Sequence, residues 1–215
     1  MNETLTARRH EITDRIEEGY SPTRHIALLV VVAGTAIGIA ASGLSRVTRS
    51  EWAVVFAGFL FANFGEWALH RYVLHEPTRM RVAYERHART HHVLYTYDAF
   101  EISSSRELRF VLMPWFALPA MLVTIAPLVL AIALAWSANA ARLFAIVGVA
   151  YYLVYEVLHA LYHLPAAAPI ARLRVVQALR RLHRVHHEPS LMRACNFNVT
   201  FPVADALLGT WRRHR

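Results

Sequence analysis

The chain has 215 residues, of which 56% are hydrophobic, with a mean hydropathy of +0.29 and a formal net charge of +8. This length allows one domain with short appended segments, and the hydropathy favours a membrane protein over a soluble one. A single cysteine, Cys195, excludes an internal disulfide framework.

The first predicted element is a polar segment, residues 1–25, whose charges of both signs do not match a cleavable signal peptide. Residues 26–215 are expected to form a single membrane domain. A helix needs roughly 20 apolar residues to cross a bilayer. Four stretches approach or exceed that length, and the predicted spans are 26–45, 52–74, 108–136 and 143–163. Residues 75–107 and 164–215 are expected to form a polar cap.

The third stretch is longer than one crossing and contains Pro114, Pro119 and Pro127. These prolines could kink one helix or fold it into a re-entrant hairpin. A hairpin would place the histidine motifs before and after it on opposite sides of the membrane. A single tilted and kinked helix is therefore the expectation, because it lets all the motifs described below meet on one side.

All 23 basic residues are arginine, and their distribution indicates an orientation for the spans. With both termini in the cytoplasm, the two short outer loops hold only Arg46, Arg49 and Arg142, and the cytoplasmic segments hold most of the others. Nucleic-acid binding is another source of such basicity, but these arginines lie beside membrane ends, where the cytoplasmic leaflet is anionic. The expectation is a multi-pass membrane protein with cytoplasmic termini and no nucleic-acid partner.

Ten of the 13 histidines fall in four motifs, "HRYVLH", "HARTHH", "HALYH" and "HRVHH". With four crossings, the second and fourth spans end in the first and third motifs, and the other two motifs lie in the polar segments beyond. All four motifs then reach one membrane face, the cytoplasmic one. His159 and His163 are four residues apart and share a helix face, as do His183 and His187, with His186 beside them.

The first two motifs need more explanation. His70 and His75 are five residues apart, which an ideal helix separates by about 140°. We expect the helix to loosen or end before Pro77, so that both rings turn toward the same centre. In the second motif, His87 and His91 are predicted to share a face, with His92 one step round the helix.

A histidine that binds a metal usually donates its other ring N–H to a nearby acceptor. Glu156 lies in an apolar run one turn before His159 and is the favoured acceptor, because a carboxylate inside a span is costly unless it has a function. Other carboxylates are close enough in sequence to be candidates: Glu66, Glu76, Glu85, Asp98 and Asp205.

Ten neutral imidazoles exceed the four ligands of a structural zinc ion and the six of one octahedral ion. The count fits two metal ions, and nitrogen ligands suit iron, zinc, copper or nickel. The absence of CxxC and HExxH motifs excludes zinc fingers and zinc peptidases. A bis-histidine heme protein fits less well, because axial ligation needs single facing histidines. A non-enzymatic metal carrier or sensor remains an alternative.

In their order, the four motifs resemble those of the fatty acid hydroxylase superfamily, the integral-membrane dimetal family that includes sterol hydroxylases and desaturases and carotenoid ring hydroxylases. The resemblance covers about residues 52–210. The segment "YEVLHALYH" is similar to the third motif of the fatty acyl and sphingolipid 2-hydroxylases. The segment "NFNVTFPVADALLGT" is similar to the family's closing "NYG...D..FGT", with Asn198 in place of glycine and Leu208 in place of phenylalanine.

The spans and the resemblance together predict an all-α fold, an integral membrane four-helix bundle with a cytoplasmic, histidine-rich helical cap that holds a dimetal site. The resemblance implies that two metal ions are bound by His70, His75, His87, His91, His92, His159, His163, His183, His186 and His187. Iron is the expected metal, because breaking an unactivated C–H bond requires dioxygen reduced at a redox metal, although zinc accepts the same ligands.

The predicted function is that of an oxidoreductase, a non-heme di-iron monooxygenase that hydroxylates a C–H bond of a lipid such as a fatty acyl chain, using dioxygen and external electrons. A carotenoid ring or sterol hydroxylase or desaturase, and a non-enzymatic membrane metal-binding protein, are the alternatives. The chain has no Gly-rich dinucleotide motif and no room for a fused cytochrome domain. The electron donor is therefore expected to be a separate ferredoxin or cytochrome with its reductase.

Overall fold

The computed structural model describes residues 3–213, and every regular element in that range is helical, which confirms the predicted all-α class. Residues 1, 2, 214 and 215, at the ends of the predicted terminal segments, lie outside the described residues. In chain order the α-helices are α1 (Glu3–Thr13), α2 (Pro22–Ser42), α3 (Ala53–Leu69), α4 (Arg81–Arg86), α5 (His92–Leu94), α6 (Leu108–Val111), α7 (Ala117–Ala135), α8 (Ala138–His163), α9 (Arg174–His186) and α10 (Val203–Leu207).

Shorter helical turns continue or connect several of these helices. Two are π-helical, His70–Leu74 directly after α3 and His87–His91 between α4 and α5. Two are 3₁₀-helical, Ser105–Glu107 before α6 and Pro169–Arg172 before α9. The histidine motifs therefore lie at or beyond helix ends, where backbone geometry can depart from the ideal α-helix.

Within residues 3–213, four helices are long and apolar enough to cross a membrane, the same number as predicted from the sequence. They are Pro22–Ser42, Ala53–Leu74, Ala117–Ala135 and Ala138–His163. Their length and composition are those of membrane-spanning helices, so we treat the chain as a membrane protein.

The third span differs from the predicted single helix over 108–136. The backbone forms the short helix α6, leaves the helical conformation at Leu112 (φ −71°, ψ 145°), and becomes helical again in α7. Pro114 keeps α6 from continuing, because its ring would clash with the helical carbonyl of Phe110, four residues earlier, and disfavours helical backbone at Met113. Pro127 lies within α7, which continues to Ala135.

The chain divides into two compact units. One, the span unit, comprises residues 23–62 and 113–155 and holds α2, α7 and the first parts of α3 and α8. Its interior contains two apolar clusters, one around Ala33, Leu118 and Val149 and one around Val54, Ala140, Leu143 and Phe144. Large apolar side chains are also exposed on this unit, as expected of helices that face lipid; Val31, Val123 and Leu134 are 62%, 75% and 80% exposed.

The other unit, the histidine unit, comprises residues 3–22, 63–112 and 156–213 of the described chain and holds all ten motif histidines. One of its apolar clusters is formed by Leu94, Tyr95, Ile102, Leu108, Val111 and Leu112, with Ile12 of α1 packed against it. A second contains Trp67, Phe197 and Ala204. The N-terminal helix α1 is therefore part of the packed unit that contains the histidines.

Candidate metal centre

The first motif continues α3 as a π-helical turn, His70–Leu74. A π-helix bonds residues five apart, so it brings positions i and i+5 to the same side. The rings of His70 and His75 are stacked, with centroids 5.1 Å apart and planes 16° from parallel. The loosening of the helix that the sequence predicts before Pro77 takes the form of this π turn.

The second motif also forms a π-helical turn, His87–His91. Its effect is to pair His87 with His92, whose Nε2 atoms are 3.1 Å apart. The rings of His87 and His91 are stacked, with centroids 5.2 Å apart, in agreement with the predicted shared face, but the ligand nitrogen of His91 belongs to a different set of histidines. The physical reason is the wider π turn, which shifts the repeat from four residues to five.

The third and fourth motifs lie at the ends of two α-helices. His159 and His163 occupy the last two turns of α8, and His183 and His186 the last turn of α9, with His187 directly after it. All ten motif histidines are buried, with no more than 7% exposure.

Nine of the ten form two groups, and within each group the ligand nitrogens all lie within 4.8 Å of one another. The first histidine group is His70, His75, His87, His92 and His186, and the second is His91, His163, His183 and His187. The tenth, His159, has its Nε2 3.2 Å from that of His91, beside the second group. The first motif thus serves one group and the third motif the other, whereas the second and fourth motifs serve both.

The spacing of the nitrogens fits shared metal ions. In the first group the Nε2 of His70 lies 2.8 Å from that of His87. In the second group the Nε2 of His187 lies 3.2 Å from that of His91 and 3.1 Å from that of His183. Two nitrogens each about 2.1 Å from one ion and at right angles to each other are about 3.0 Å apart.

Five histidines are oriented by backbone carbonyl groups, which accept hydrogen bonds from Nδ1. The pairs are His70 with Phe197 (2.5 Å), His186 with Cys195 (2.9 Å), His91 with Phe110 (3.1 Å), His163 with Phe100 (2.7 Å), and His187 with Tyr95. A carbonyl oxygen only accepts, so Nδ1 carries the proton and Nε2 of a neutral ring carries a lone pair. Lone pairs that face each other at these distances repel, and a cation between them removes the repulsion.

Burial keeps the rings neutral. It lowers the pKa of His75 to about 2, with further lowering from the nearby His186 and Arg193. It lowers the pKa of His186 to about 4, although the Cys195 carbonyl acts in the opposite direction. Burial, together with adjacent imidazoles, also holds the pKa well below its ordinary value in His87, His91, His92, His183 and His187. Neutral imidazole is the form that binds metals.

His163 gives a further test of whether these residues fit a metal. Its Nδ1 donates to Phe100, while its buried Nε2 has no hydrogen-bond partner within residues 3–213. A buried polar nitrogen left without a partner costs about 1–3 kcal/mol. A metal ion held by the second group would satisfy this atom, so the donor set fits a bound ion.

Two of the candidate carboxylates, Glu66 and Asp205, accept hydrogen bonds from backbone N–H groups of residues 197–200. This is the segment that contains Phe197, whose carbonyl accepts a hydrogen bond from His70. Glu66 accepts hydrogen bonds from the N–H groups of Val199 (2.6 Å) and Thr200 (3.1 Å). Asp205 accepts them from Phe197 (3.0 Å) and Asn198 (2.7 Å). These hydrogen bonds hold residues 197–200 in place, and the carbonyl of Phe197 in turn orients His70.

The remaining carboxylates have varied positions. Glu76 forms a salt bridge with Arg193 at 3.1 Å, and Glu85 and Asp98 are exposed. Glu156 is buried, with 2% exposure. Its role as the acceptor for a metal-binding histidine stays a prediction. Sequence patterns could not have identified the carbonyl acceptors, because backbone atoms leave no side-chain signal.

Two asparagines in the segment that resembles the family's closing motif have distinct roles, and one of them, Asn198, stands where that family has glycine. Asn196 has a left-handed backbone (φ +55°), which asparagine adopts more readily than most residues. Asn198, where the resembling family has glycine, donates from Nδ2 to the carbonyl of Asn63 (2.9 Å) and to Glu66 Oε2 (3.2 Å). The substitution therefore adds hydrogen bonds to the support of the first group.

An all-helical chain with four candidate spans and two buried histidine groups has the architecture expected of a membrane metal-dependent oxidoreductase. Residues 55–210 match the family model for fatty acid hydroxylase, and this range includes all four motifs. The chain therefore belongs to the fatty acid hydroxylase family, which confirms the resemblance drawn from the motifs.

A solved structure supports the same fold. The chain is similar to one described as full-length Scs7p with only the hydroxylase domain visible, with a TM-score of 0.55 and 18% sequence identity. The similarity covers 89% of this chain and 65% of that chain, so the present chain spans about two thirds of its length. At this identity the likeness shows the fold alone. No curated protein matches the chain.

Proposed function

We propose that this protein is a non-heme di-iron oxygenase that hydroxylates a C–H bond of a lipid, such as a fatty acyl chain. The observation that carries the proposal is the convergence of buried, neutral imidazoles into two groups whose Nε2 atoms face one another, in a member of a hydroxylase family. The first group would hold one ion, and the second group together with His159 would hold the other.

Iron bound there would supply the redox chemistry for the overall conversion of R–H, O₂, two electrons and two protons to R–OH and H₂O, with both electrons coming from an external donor. Zinc fits the same nitrogens but does not change its oxidation state. We therefore propose iron as the functional metal. A separate ferredoxin or cytochrome, with its reductase, would supply the two electrons.

The side chains contribute orientation and exclusion of water. The carbonyl groups fix which nitrogen faces the centre in the five rings that donate to them, which preserves ligand geometry. Aromatic rings pack around the histidines: Phe100 lies 4.3 Å from His163, and Phe197 lies 5.7 Å from His186, between ring centroids. Such apolar surroundings limit the access of water to the reacting groups.

A lipid substrate follows from where the histidines lie on the candidate spans. His70 directly follows α3 and His163 ends α8, and both helices are long and apolar enough to cross a bilayer. An acyl chain within the bilayer could therefore reach the histidines without entering water. The arginine distribution supports a cytoplasmic position for the centre and the termini. We further propose that residues 26–215 function as one domain.

Metal analysis of the purified protein is the first test. We expect about two irons per chain in the wild type, none in the His186→Ala, His187→Ala double variant, and an unchanged content in His10→Ala, whose histidine is exposed and outside both groups. A wild-type protein that binds no transition metal would contradict the proposal.

Catalysis is tested next with an electron donor, ¹⁸O₂ and lipid extracts. The expected product carries one ¹⁸O atom in a new hydroxyl group on an acyl chain, as detected by mass spectrometry. A new double bond would indicate a desaturase, and a labelled ring carbon a sterol or carotenoid hydroxylase. Iron-loaded protein that consumes no oxygen with any donor would support a non-enzymatic metal-binding protein.

A further inference from the structure

The two histidine groups take their orienting carbonyls from different parts of the chain. His70 and His186 of the first group donate to Phe197 and Cys195. Within the second group, His91, His163 and His187 donate to Phe110, Phe100 and Tyr95 in a segment that precedes the third span. Residues 95–110 therefore supply the orienting carbonyls of the second group, whereas those of the first group come from Cys195 and Phe197.

One residue that holds this segment comes from the N-terminal helix. Arg9 lies on α1, outside the family-matched residues 55–210, and its side chain is only 12% exposed. Its guanidinium donates to both oxygens of the Glu107 carboxylate, at 2.5 and 3.3 Å. It also donates to the backbone carbonyl of Glu101 at 2.6 Å. A planar guanidinium suits such a forked arrangement, which a lysine cannot reproduce.

Glu107 passes this restraint to Tyr95. Its carboxylate side chain is 4% exposed and also accepts hydrogen bonds from the N–H of Ser103 (3.1 Å) and the hydroxyl of Tyr95 (3.4 Å). The Tyr95 hydroxyl donates to the Glu107 carbonyl as well, at 3.1 Å. Removing Arg9 would leave a buried carboxylate without its cation, which is strongly unfavourable.

Tyr95 and its neighbours contact the second group directly. The Tyr95 carbonyl accepts the Nδ1–H of His187, and the Tyr95 ring lies 4.6 Å from that of His163. The N–H of Ile102, the residue after Glu101, donates to the carbonyl of His163 at 2.8 Å. Arg9 thus fixes Glu101, the residue after Phe100, whose carbonyl orients His163. It also fixes Glu107, which accepts a hydrogen bond from Tyr95, whose carbonyl orients His187.

We propose that Arg9 is a positioning residue for the second histidine group, so that the N-terminal helix is a working part of the metal centre. Arg9 touches no histidine of the group and acts through Glu107, Tyr95 and the Glu101 carbonyl. This inference rests on the metal-binding part of the proposed function and not on the identity of the substrate. Loss of Arg9 therefore lowers the metal affinity of the second group and not that of the first.

Co²⁺ binding, followed by its visible absorption and by chelator competition, tests this without catalysis. Each group is isolated first: His70→Ala with His186→Ala disables the first, and His163→Ala with His183→Ala disables the second. Adding Arg9→Ala is expected to lower Co²⁺ affinity about tenfold or more where only the second group remains. Where only the first group remains, affinity is expected to stay within about twofold. An equal effect on both groups, or none on the second, would overturn the proposal.

Further variants separate positioning from general destabilisation. Glu107→Gln should cost as much affinity as Arg9→Ala, and the double variant no more than either alone, because both act through one contact. Arg9→Lys keeps the positive charge but cannot donate to both oxygens of Glu107 and to the Glu101 carbonyl. Relative to Arg9→Ala, it should restore stability and part of the Co²⁺ affinity of the second group. Arg15→Ala removes an exposed arginine of the same segment, paired with Glu11 at 2.6 Å, and serves as the matched control.

The outcomes remain distinguishable if Arg9→Ala fails to fold. A folded Arg9→Lys protein with wild-type affinity and absorption in the second group would then overturn the positioning role. Where Arg9→Ala does fold, additive losses of affinity in Arg9→Ala and Glu107→Gln would also contradict the positioning role. A wild-type protein that binds no Co²⁺ would instead overturn the proposed metal centre, before Arg9 is considered.

Discussion

The two histidine groups use the same ligand chemistry but are supported in different ways. The first is oriented by Cys195 and Phe197, whose segment is fixed by Asp205 and by Glu66, all within the family-matched range. The second is oriented by the segment beginning at Tyr95, which α1 holds from outside that range. Similar ligands therefore do not imply a shared support, and the two ions should be separable by substitutions that touch no ligand.

The largest expected effect is the loss of hydroxylation in His187→Ala, which tests whether activity requires both histidine groups. His187→Ala removes a second-group nitrogen whose ring also stacks on His92 of the first group, with centroids 4.2 Å apart. We expect hydroxylation to fall by more than about 100-fold, with membrane insertion intact, because the reaction is proposed to need both ions. Turnover and membrane fractionation measure this, with His10→Ala as control. An active His187→Ala protein would contradict the two-ion centre.

Asp205→Asn should produce the mirror image of the loss of Arg9. The amide keeps one acceptor oxygen but cannot accept from Phe197, Asn198 and the Thr210 hydroxyl together, as the carboxylate does. We expect Co²⁺ affinity to fall about 10- to 100-fold in the first group and to be unchanged in the second. Chelator competition in the single-group proteins measures this. Asp98→Asn, at an exposed position, is the control.

Acid should destabilise both groups over the same pH range, because both consist of buried, neutral histidines. The two groups should therefore respond alike to pH although their supports differ. Burial lowers the folded pKa of His75 to about 2 and of His186 to about 4, whereas the unfolded value is about 6.5. Between these values the unfolded chain binds more protons, so stability is present above pH 6.5 and is lost as pH falls. Each such group contributes about 1.4 kcal/mol per pH unit.

Thermal unfolding of the metal-free protein between about pH 7.5 and 5 checks this expectation. Metal content over the same range should fall in step, because protonated imidazole cannot bind a metal. Melting temperatures that stay constant on acidification would show that the histidines are not buried in neutral form. Release of one ion well before the other would show that the groups differ in more than their support.

The smallest expected effect concerns one hydroxyl group in the support of the second ion. Tyr95→Phe removes the hydrogen bonds to Glu107 and keeps the ring against His163. We expect the free energy of unfolding to fall by about 1 kcal/mol, and the Co²⁺ affinity of the second group to fall less than in Arg9→Ala, because the contact of Arg9 with Glu101 remains. Thermal melts measure the change, with the half-exposed Tyr72→Phe as control. A loss of the second ion would assign Tyr95 a larger role than its hydrogen bonds predict.

Much of the metal centre could be predicted because its chemistry lies in side chains with a clear spacing. The four motifs identified the ten histidines that the structure buries together, and long apolar stretches gave the number of candidate spans. The break before the third span was not predicted, because a proline-rich apolar run is compatible with a kinked helix as well as an interrupted one. Leu112 and Pro114 show which of these occurs.

The division of the histidines into groups required the backbone. The sequence predicted a shared face for His87 and His91, whose rings do stack, but the π turn brings the Nε2 atoms of His87 and His92 together, and His91 belongs to the other group. The carbonyl groups that accept hydrogen bonds from five of the histidines could not be predicted, since a backbone oxygen is present at every residue and only the fold selects one. The predicted role of Glu156 as an acceptor stays a prediction. The side chain of Glu66 supports His70 only indirectly: it accepts a hydrogen bond from the N–H of Val199, in the same segment as Phe197, whose carbonyl orients His70.

The sequence by itself determined the all-helical membrane class, the family and the ten histidines, because hydropathy and ligand spacing are local properties that survive in any fold of the chain. Only the tertiary structure decided which histidines lie together in each group and what holds each group. The link from Arg9 to Glu107 joins residues 98 positions apart. A contact over such a distance depends on how the elements pack, and no local pattern in the sequence encodes it.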